Sequence, residues 1–429
     1  MRVVTAITAR RGNRAPGRRL RRQSGLAGMT GMTGMAVLVL LAAACSGGGP
    51  TTSQNSASQA RSSASARPTV TAAGGTLKNV TVRTSGDAVT GHLSQGGKAW
   101  HSQWALDVSQ AYTVTATASG PGRGTVTTTS TFRTLTPDRT FSTEILEGYD
   151  QAYGVGVPII LYFSQRITNQ AAVERSLQIA TSKPVVGAWY WDYPCNMAVT
   201  CAYFRPRDYW PAGTTVRFTG HLNGVQGAPG VYGYHTLTQT FSIGPSLIAV
   251  GNTATHRTQI YYNGKLRNDW PISSGRPGDN TPNGSYLTIE KANPVEMKGP
   301  GYDLMVPWSV RFTFSGDYYH DAYWSVGEQG FDNVSHGCVN LSPADAETYY
   351  NLAVPGDPIT IMGSPKGGTW DNGWTEWFLS WPQYLLGSAL HEAVQAGPGG
   401  STFVDPASLP ASTASAPLQT APANSAAAS

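Results

Sequence analysis

Charged residues are scarce in this chain. Asp, Glu, Lys and Arg make up 13% of its 429 residues, about half the share usual in soluble globular domains, which argues against an ordinary cytosolic enzyme. Cysteine is scarcer, with four in all, too few for a scaffold built on disulfides. No apolar run approaches the roughly 20 residues that span a bilayer as a helix; the run Met35–Ala44 (MAVLVLLAAA) falls well short. A net charge of +5 would suit a nucleic-acid or anionic-surface binder, but its placement removes that reading. Eight arginines (Arg2, Arg10, Arg11, Arg14, Arg18, Arg19, Arg21, Arg22) precede Ala44 with no acidic residue among them. Without these eight, 22 basic residues face 25 acidic ones, and no nucleic-acid partner is expected.

What is present points outward from the cytoplasm. The 12 Trp and 20 Tyr supply apolar surface for several small cores, and the length allows about three domains. Arginines followed by an apolar run give residues 1–44 the order of a secretory signal peptide. The stretch Leu40-Leu41-Ala42-Ala43-Ala44-Cys45 resembles a bacterial lipobox, with Ala42 departing from the usual Leu or Val. That resemblance implies a lipidated Cys45 and anchoring at the outer face of the cytoplasmic membrane; a plain cleaved signal, giving a secreted product, is the alternative. Residues 45–74, rich in Ser, Ala, Thr and Gly, are expected to be a flexible tether.

The fold expected beyond the tether is mainly β. Residues 75–137 carry short alternating runs, Leu77–Val82, Tyr112–Thr117 and Gly124–Thr129, separated by turn residues, the pattern of an Ig-like β-sandwich. Residues 138–245 suggest a second such sandwich with one helix over Asn169–Ile179. In this block Cys195 and Cys201 are most simply a disulfide in an exported chain; a metal pair is the alternative, without a nearby histidine. Residues 246–363 form a third, β-rich block. It opens with the strands Leu247–Val250 and Thr258–Tyr262, closes with Asp357–Met362, and holds a helix Pro343–Leu352 with Ser342 as N-cap and Pro343 in its first turn. Residues 364–396 are a C-terminal subdomain whose Trp370, Trp374, Trp377 and Trp381 are expected to pack on the third block, with a helix interrupted at Pro382; a carbohydrate platform is the rival reading. The Ala/Ser/Pro-rich residues 397–429 are expected to be disordered.

With Cys45 at the anchor and Cys195 and Cys201 paired, Cys338 is left over, and a free thiol outside the cytoplasm is a liability unless it is used. It lies in Ser335-His336-Gly337-Cys338-Val339-Asn340, eighteen residues after His320. A nucleophilic cysteine needs an imidazole within reach. His336 is two residues away, whereas His320 is at a spacing suited to a neighbouring strand. The N–H groups of Gly337 and Cys338 are candidate oxyanion donors. The same residues, taken singly, are equally compatible with a buried core thiol and packing histidines.

The longer pattern discriminates. His320-Asp321-Ala322-Tyr323-Trp324-Ser325 followed by Ser335-His336-Gly337-Cys338-Val339-Asn340-Leu341-Ser342-Pro343 resembles the catalytic motif of YkuD-type L,D-transpeptidases, especially actinobacterial lipoproteins with two Ig-like domains in front. Tyr262-Asn263-Gly264, Ser273-Ser274-Gly275 and Thr281-Pro282-Asn283-Gly284 resemble that family's early strands and turns, and Pro184–Trp191 and Tyr209–Thr214 resemble its second Ig-like domain. The resemblance implies Cys338 as nucleophile, His320 as general base, and the backbone carbonyl of Asp321, where relatives carry Ser or Ala, as the group that orients His320. It implies an oxyanion site shaped by His336 and Gly337, substrate contacts from Tyr302, Trp324, Ser335 and Asn340, and a lid over 292–307. The implied reaction joins peptidoglycan stem peptides, a tetrapeptide donor and a diaminoacid amine acceptor, into 3→3 cross-links with release of D-Ala. It calls for no metal or organic cofactor and implies inhibition by carbapenems. Sortase-like acyl transferases place a later Arg after the cysteine, which this chain lacks. A non-catalytic Ig-like surface lipoprotein is the other alternative.

Overall fold

A computed structural model describes residues 67–412, except 74, 121–122, 196 and 300–301, together with the short strands Val37–Leu38 and Arg61–Ser62. The proposed signal peptide apart from Val37–Leu38, Cys45, most of the tether and residues 413–429 lie outside the described residues. The described residues fall into two compact units: those up to residue 141 together with 221–235, and those of 142–220 together with the residues from 236 onward.

In the first unit the strands Thr76–Arg83, Ala111–Gly120 and Arg123–Thr134 pair antiparallel. Their alternation is the reason: Tyr112, Val114, Ala116 and Ala118 point inward and pack with Val70, Leu77, Val82 and Trp100, while Thr115 and Thr117 face out and bond to Thr129 and Thr127 across the ladder.

The second unit begins as a two-sheet sandwich. Trp189, beside Phe204 in one sheet, meets Phe218 of the other. The expected helix over Asn169–Ile179 is shorter, Gln170–Glu174. Ser176 Oγ bonds back to Ala172 O, and from Leu177 burial alternates with period two, so Leu177–Thr181 becomes a strand paired with Thr215–Gly220. Cys195 and Cys201 form a disulfide.

The third block holds a five-stranded sheet in the order Lys265–Pro271, Arg257–Tyr262, Leu247–Asn252, Pro358–Met362, Gly284–Leu287. A four-stranded sheet runs Glu290–Ala292, Ser309–Arg311, Tyr318–Asp321, Val339–Leu341. Their shared core includes Leu247, Ile260, Tyr286, Phe312, Tyr319, Leu341, Tyr349 and Ile361. The helix Pro343–Leu352 starts where its cap predicts, with Ser342 Oγ accepting from Asp345 N.

The C-terminal segment departs most from expectation. Two of its tryptophans pack on the second block: Trp370 meets Tyr190, Trp377 meets Tyr209, and the Trp377 indole N–H donates to Gly156 O at 2.8 Å. Trp377 is buried, and Trp370, Trp374 and Trp381 are half-buried. Pro382 sits in the first turn of a helix, Trp381–Leu385, where its missing N–H costs nothing. The chain remains ordered beyond Gly397: Ala393–Gly397 and Gly400–Val404 form a hairpin that pairs with Val185–Gly187 and extends the second block's sheet. Glu174, fully buried, fastens this belt by accepting from Trp191 Nε1, Ser388 Oγ and Ala389 N at 2.8, 2.6 and 2.8 Å. No helix among the described residues is long and apolar enough to cross a membrane.

Candidate active site

The strands Tyr318–Asp321 and Val339–Leu341 run parallel, with His320 opposite Asn340. Extending the register by two residues brings Cys338 alongside Tyr318, a diagonal neighbour of His320. Two residues eighteen positions apart in sequence are thereby brought into one site. The bend before Cys338 is held on a cradle built by segments quoted above only as strands and turns. Ser335 N donates to Ser274 O at 3.0 Å, Asn340 N to Ser273 O at 2.8 Å, and Thr281 Oγ1 to Gly337 O at 2.7 Å. Gly337 sits at φ 131°, a conformation that L side chains rarely adopt.

His320 is 4% exposed. Its Nδ1 lies 2.7 Å from the Asp321 carbonyl oxygen; a carbonyl only accepts, so Nδ1 carries the proton and Nε2 holds the lone pair. Burial pushes the imidazole down to about 4, partly offset by that carbonyl. The Trp324 ring stacks at 5.9 Å from it. Asp321 is 5% exposed, and its carboxyl is pushed up by burial, with the Tyr323 N–H opposing.

Cys338 is half-buried and is the free cysteine of the described chain. Its thiol faces Gly316 O at 3.7 Å. Burial first, then the Asp317 carboxylate, push the thiol up to about 12, with the Tyr318 N–H opposing. At neutral pH the resting pair is therefore uncharged, with the proton on sulfur and the base empty.

The remaining sequence candidates divide. Tyr302, on the hairpin Val295–Gly299 and Tyr302–Val306 that occupies the expected lid, meets the ring of exposed His336 at 4.8 Å. Trp324 is 44% exposed beside the site. Ser335 and Asn340 are buried and carry internal hydrogen bonds. Ser335 is 7% exposed and its Oγ donates to Cys338 O at 2.6 Å while accepting from Gly337 N at 3.1 Å. Asn340 is 2% exposed and its amide donates to Ser325 Oγ at 2.9 Å. These bonds shape the loop and the neighbouring turn, and Asn340 Oδ1 has no partner among the described contacts. Of the two expected oxyanion donors, Gly337 N–H is committed to Ser335. Gly316 and Asp317 were not among the expected site residues; the Ser315-Gly316-Asp317 turn just before the strand that carries His320 was the available signal.

Comparison with known proteins gives concordant matches. The bacterial Ig domain family (Big_10) matches residues 59–226, and the L,D-transpeptidase catalytic domain family (YkuD) matches residues 246–361. L,D-transpeptidase 2 of Mycobacterium tuberculosis is 31% identical over 333 residues, covering 75% of this chain and 80% of the relative. A solved structure of the L,D-transpeptidase LdtMt1 in complex with imipenem is 33% identical and covers 53% of this chain and 100% of that one, with a TM-score of 0.44. L,D-transpeptidase 3 of M. tuberculosis, in complex with a faropenem-derived adduct, is 30% identical and covers 51% of this chain and 97% of that one, with a TM-score of 0.42.

Proposed function

The chain belongs to the L,D-transpeptidase family, cysteine-dependent acyltransferases of peptidoglycan with a YkuD catalytic domain, and from that premise we propose that Cys338 and His320 carry out 3→3 cross-linking of stem peptides. The observation that carries the assignment is the His320 Nδ1–H bond to Asp321 O, which fixes the tautomer with a basic Nε2 on the strand beside the nucleophile. His336, exposed against Tyr302, has no such orienting carbonyl among the described contacts.

In the donor half-reaction the Cys338 sulfur attacks the carbonyl joining the third residue, a diaminoacid, to the terminal D-Ala. With the thiol high and the imidazole low, a standing thiolate–imidazolium pair is disfavoured. The thiol proton passes to His320 Nε2 as the S–C bond forms, and this requires the sulfur to turn from Gly316 O toward the imidazole. His320 then protonates the departing D-Ala nitrogen, leaving a thioester on Cys338. A side-chain amine of a second stem attacks that thioester, and the thiol is restored. The strained carbonyl of a carbapenem is open to the same first attack, giving an acyl-enzyme. Muropeptide analysis with the purified protein and its Cys338→Ala variant tests the assignment. Tripeptide cross-links and free D-Ala are expected from the wild type and absent from the variant; products unchanged by the substitution would overturn it.

The arginine-rich start and the lipobox-like Leu40–Cys45 support anchoring at the outer face of the cytoplasmic membrane through Cys45, with residues 46–74 as the tether. Cell fractionation decides this: wild-type protein is expected with membranes and Cys45→Ala in the soluble fraction, and an identical distribution would rule the anchor out.

A further inference from the structure

Asp317 stands three residues before His320, in the turn that enters the strand Tyr318–Asp321. Its Oδ2 accepts from Thr313 Oγ1 at 2.7 Å and Ser315 Oγ at 3.2 Å, and its backbone N–H donates to Thr313 Oγ1 at 2.7 Å. Its Oδ1 is turned the other way, onto the face of Gly337, where a Cβ would collide with it. The carboxylate therefore occupies the side-chain space of the residue directly before the nucleophile. No ion pair among the described residues includes Asp317. Arg311, on the adjoining strand, is used by Glu290 and by the carbonyls of Thr313 and Phe314.

A half-buried carboxylate beside a thiol, with no cation to balance it, opposes formation of the thiolate. The turn could be closed by a neutral Asn, which accepts the same two hydroxyl bonds. The charge thus serves something other than the turn, and the missing counter-charge is one that the second substrate carries.

We propose that Asp317 is an acceptor-binding residue: Oδ1 receives the side-chain ammonium of the second stem peptide and holds its nitrogen beside the thioester on Cys338. This rests on the acyl-transfer reading above. The ammonium releases one proton to solvent, and the neutral nitrogen remains hydrogen-bonded to Asp317. Its lone pair attacks the thioester carbonyl, the second proton passes to His320 Nε2 as the C–N bond forms, and the C–S bond breaks. His320 returns that proton to the departing thiolate, leaving an amide and free Cys338. Water carries no charge for Asp317 to hold, so the carboxylate favours cross-linking over hydrolysis.

The test measures both products from one acyl-enzyme. A stem tetrapeptide donor is given to wild-type, Asp317→Asn and Asp317→Glu protein with rising concentrations of a diaminoacid-bearing acceptor peptide, and cross-linked dimer and hydrolysed tripeptide are counted by mass spectrometry. Removing a charge-assisted hydrogen bond is expected to lower the dimer-to-tripeptide ratio about tenfold in Asp317→Asn, with partial recovery in Asp317→Glu. An unchanged ratio in Asp317→Asn overturns the proposal and leaves acyl transfer standing. If Asp317→Asn does not fold, Asp317→Ser takes its place, with the same tenfold loss expected and an unchanged ratio overturning the proposal. A wild type that forms no acyl-enzyme on Cys338 overturns the acyl-transfer reading, and this proposal with it.

Discussion

Burial acts on ionisable groups both at His320 and Cys338 and where the C-terminal belt meets the second sandwich. In the catalytic block it drives the base down to about 4 and the thiol up to about 12, and each group keeps an unused valence: the Nε2 lone pair on one, a weakly held S–H on the other. At that junction, Glu376 of the belt and Glu147 of the sandwich are pushed up to about 7 and about 8, by desolvation first, and Glu174 of the sandwich is raised by desolvation and met by three donors. The same physical force thus produces a reactive pair in one place and a clasp in the other. The difference lies in what the neighbours leave unsatisfied: the site's polar valences are left open for a substrate, the Glu174 clasp's are closed by the fold.

Breaking the clasp is expected to give the largest effect. Glu174→Ala strands Trp191 Nε1, Ser388 Oγ and Ala389 N, a loss of about 3 kcal/mol at roughly 1 kcal/mol for each bond. A lower melting temperature by calorimetry should accompany wild-type rates of carbapenem acylation at low temperature. Equal loss of acylation would mean that the belt and the site are not separable.

Acidity should sharpen the contrast. Glu147 and Glu376 bind protons more tightly folded than unfolded, so their contribution is fully present below about pH 4.5 and lost as pH rises through about 7 to 8. For buried neutral His320 the unfolded state takes the proton first, so its contribution falls as pH drops from 6.5 toward about 4. The belt's melting transition is expected to move up between pH 8.5 and pH 5. Acylation should be level across pH 5 to 9 and fall about tenfold per unit below pH 4, as the base is lost. Stopped-flow rates with a steep rise between pH 6 and 8 would show instead that a preformed thiolate reacts.

How far these regions were legible in advance differs for a physical reason. The motif from His320 to Pro343 is short-range, and its residue types are dictated by chemistry: a thiol, an imidazole, and a glycine at φ 131°. Ser335 and Asn340 belong to that motif, but a residue type does not reveal which way its hydrogen bonds are spent: Ser335 Oγ bonds Cys338 O and Gly337 N, while Asn340 Oδ1 has no partner among the described contacts. The belt carried little signal. Val185–Gly187 pairs with Val394–Ala396 through backbone hydrogen bonds at a sheet edge, and any strand can supply those. Asp317 lies between these cases, printed plainly in the sequence as a turn residue and given its role only by Gly337 lying against it.

The sequence by itself determined the chemistry: a spare cysteine, a histidine at strand spacing, a mainly β architecture of small sandwiches, and the helix cap at Ser342. Tertiary structure decided which valences remain open. Protonation states, the orientation of Nε2 and the placement of Asp317 depend on burial and on partners distant along the chain, and these exist only once the parallel strands Tyr318–Asp321 and Val339–Leu341 have come together.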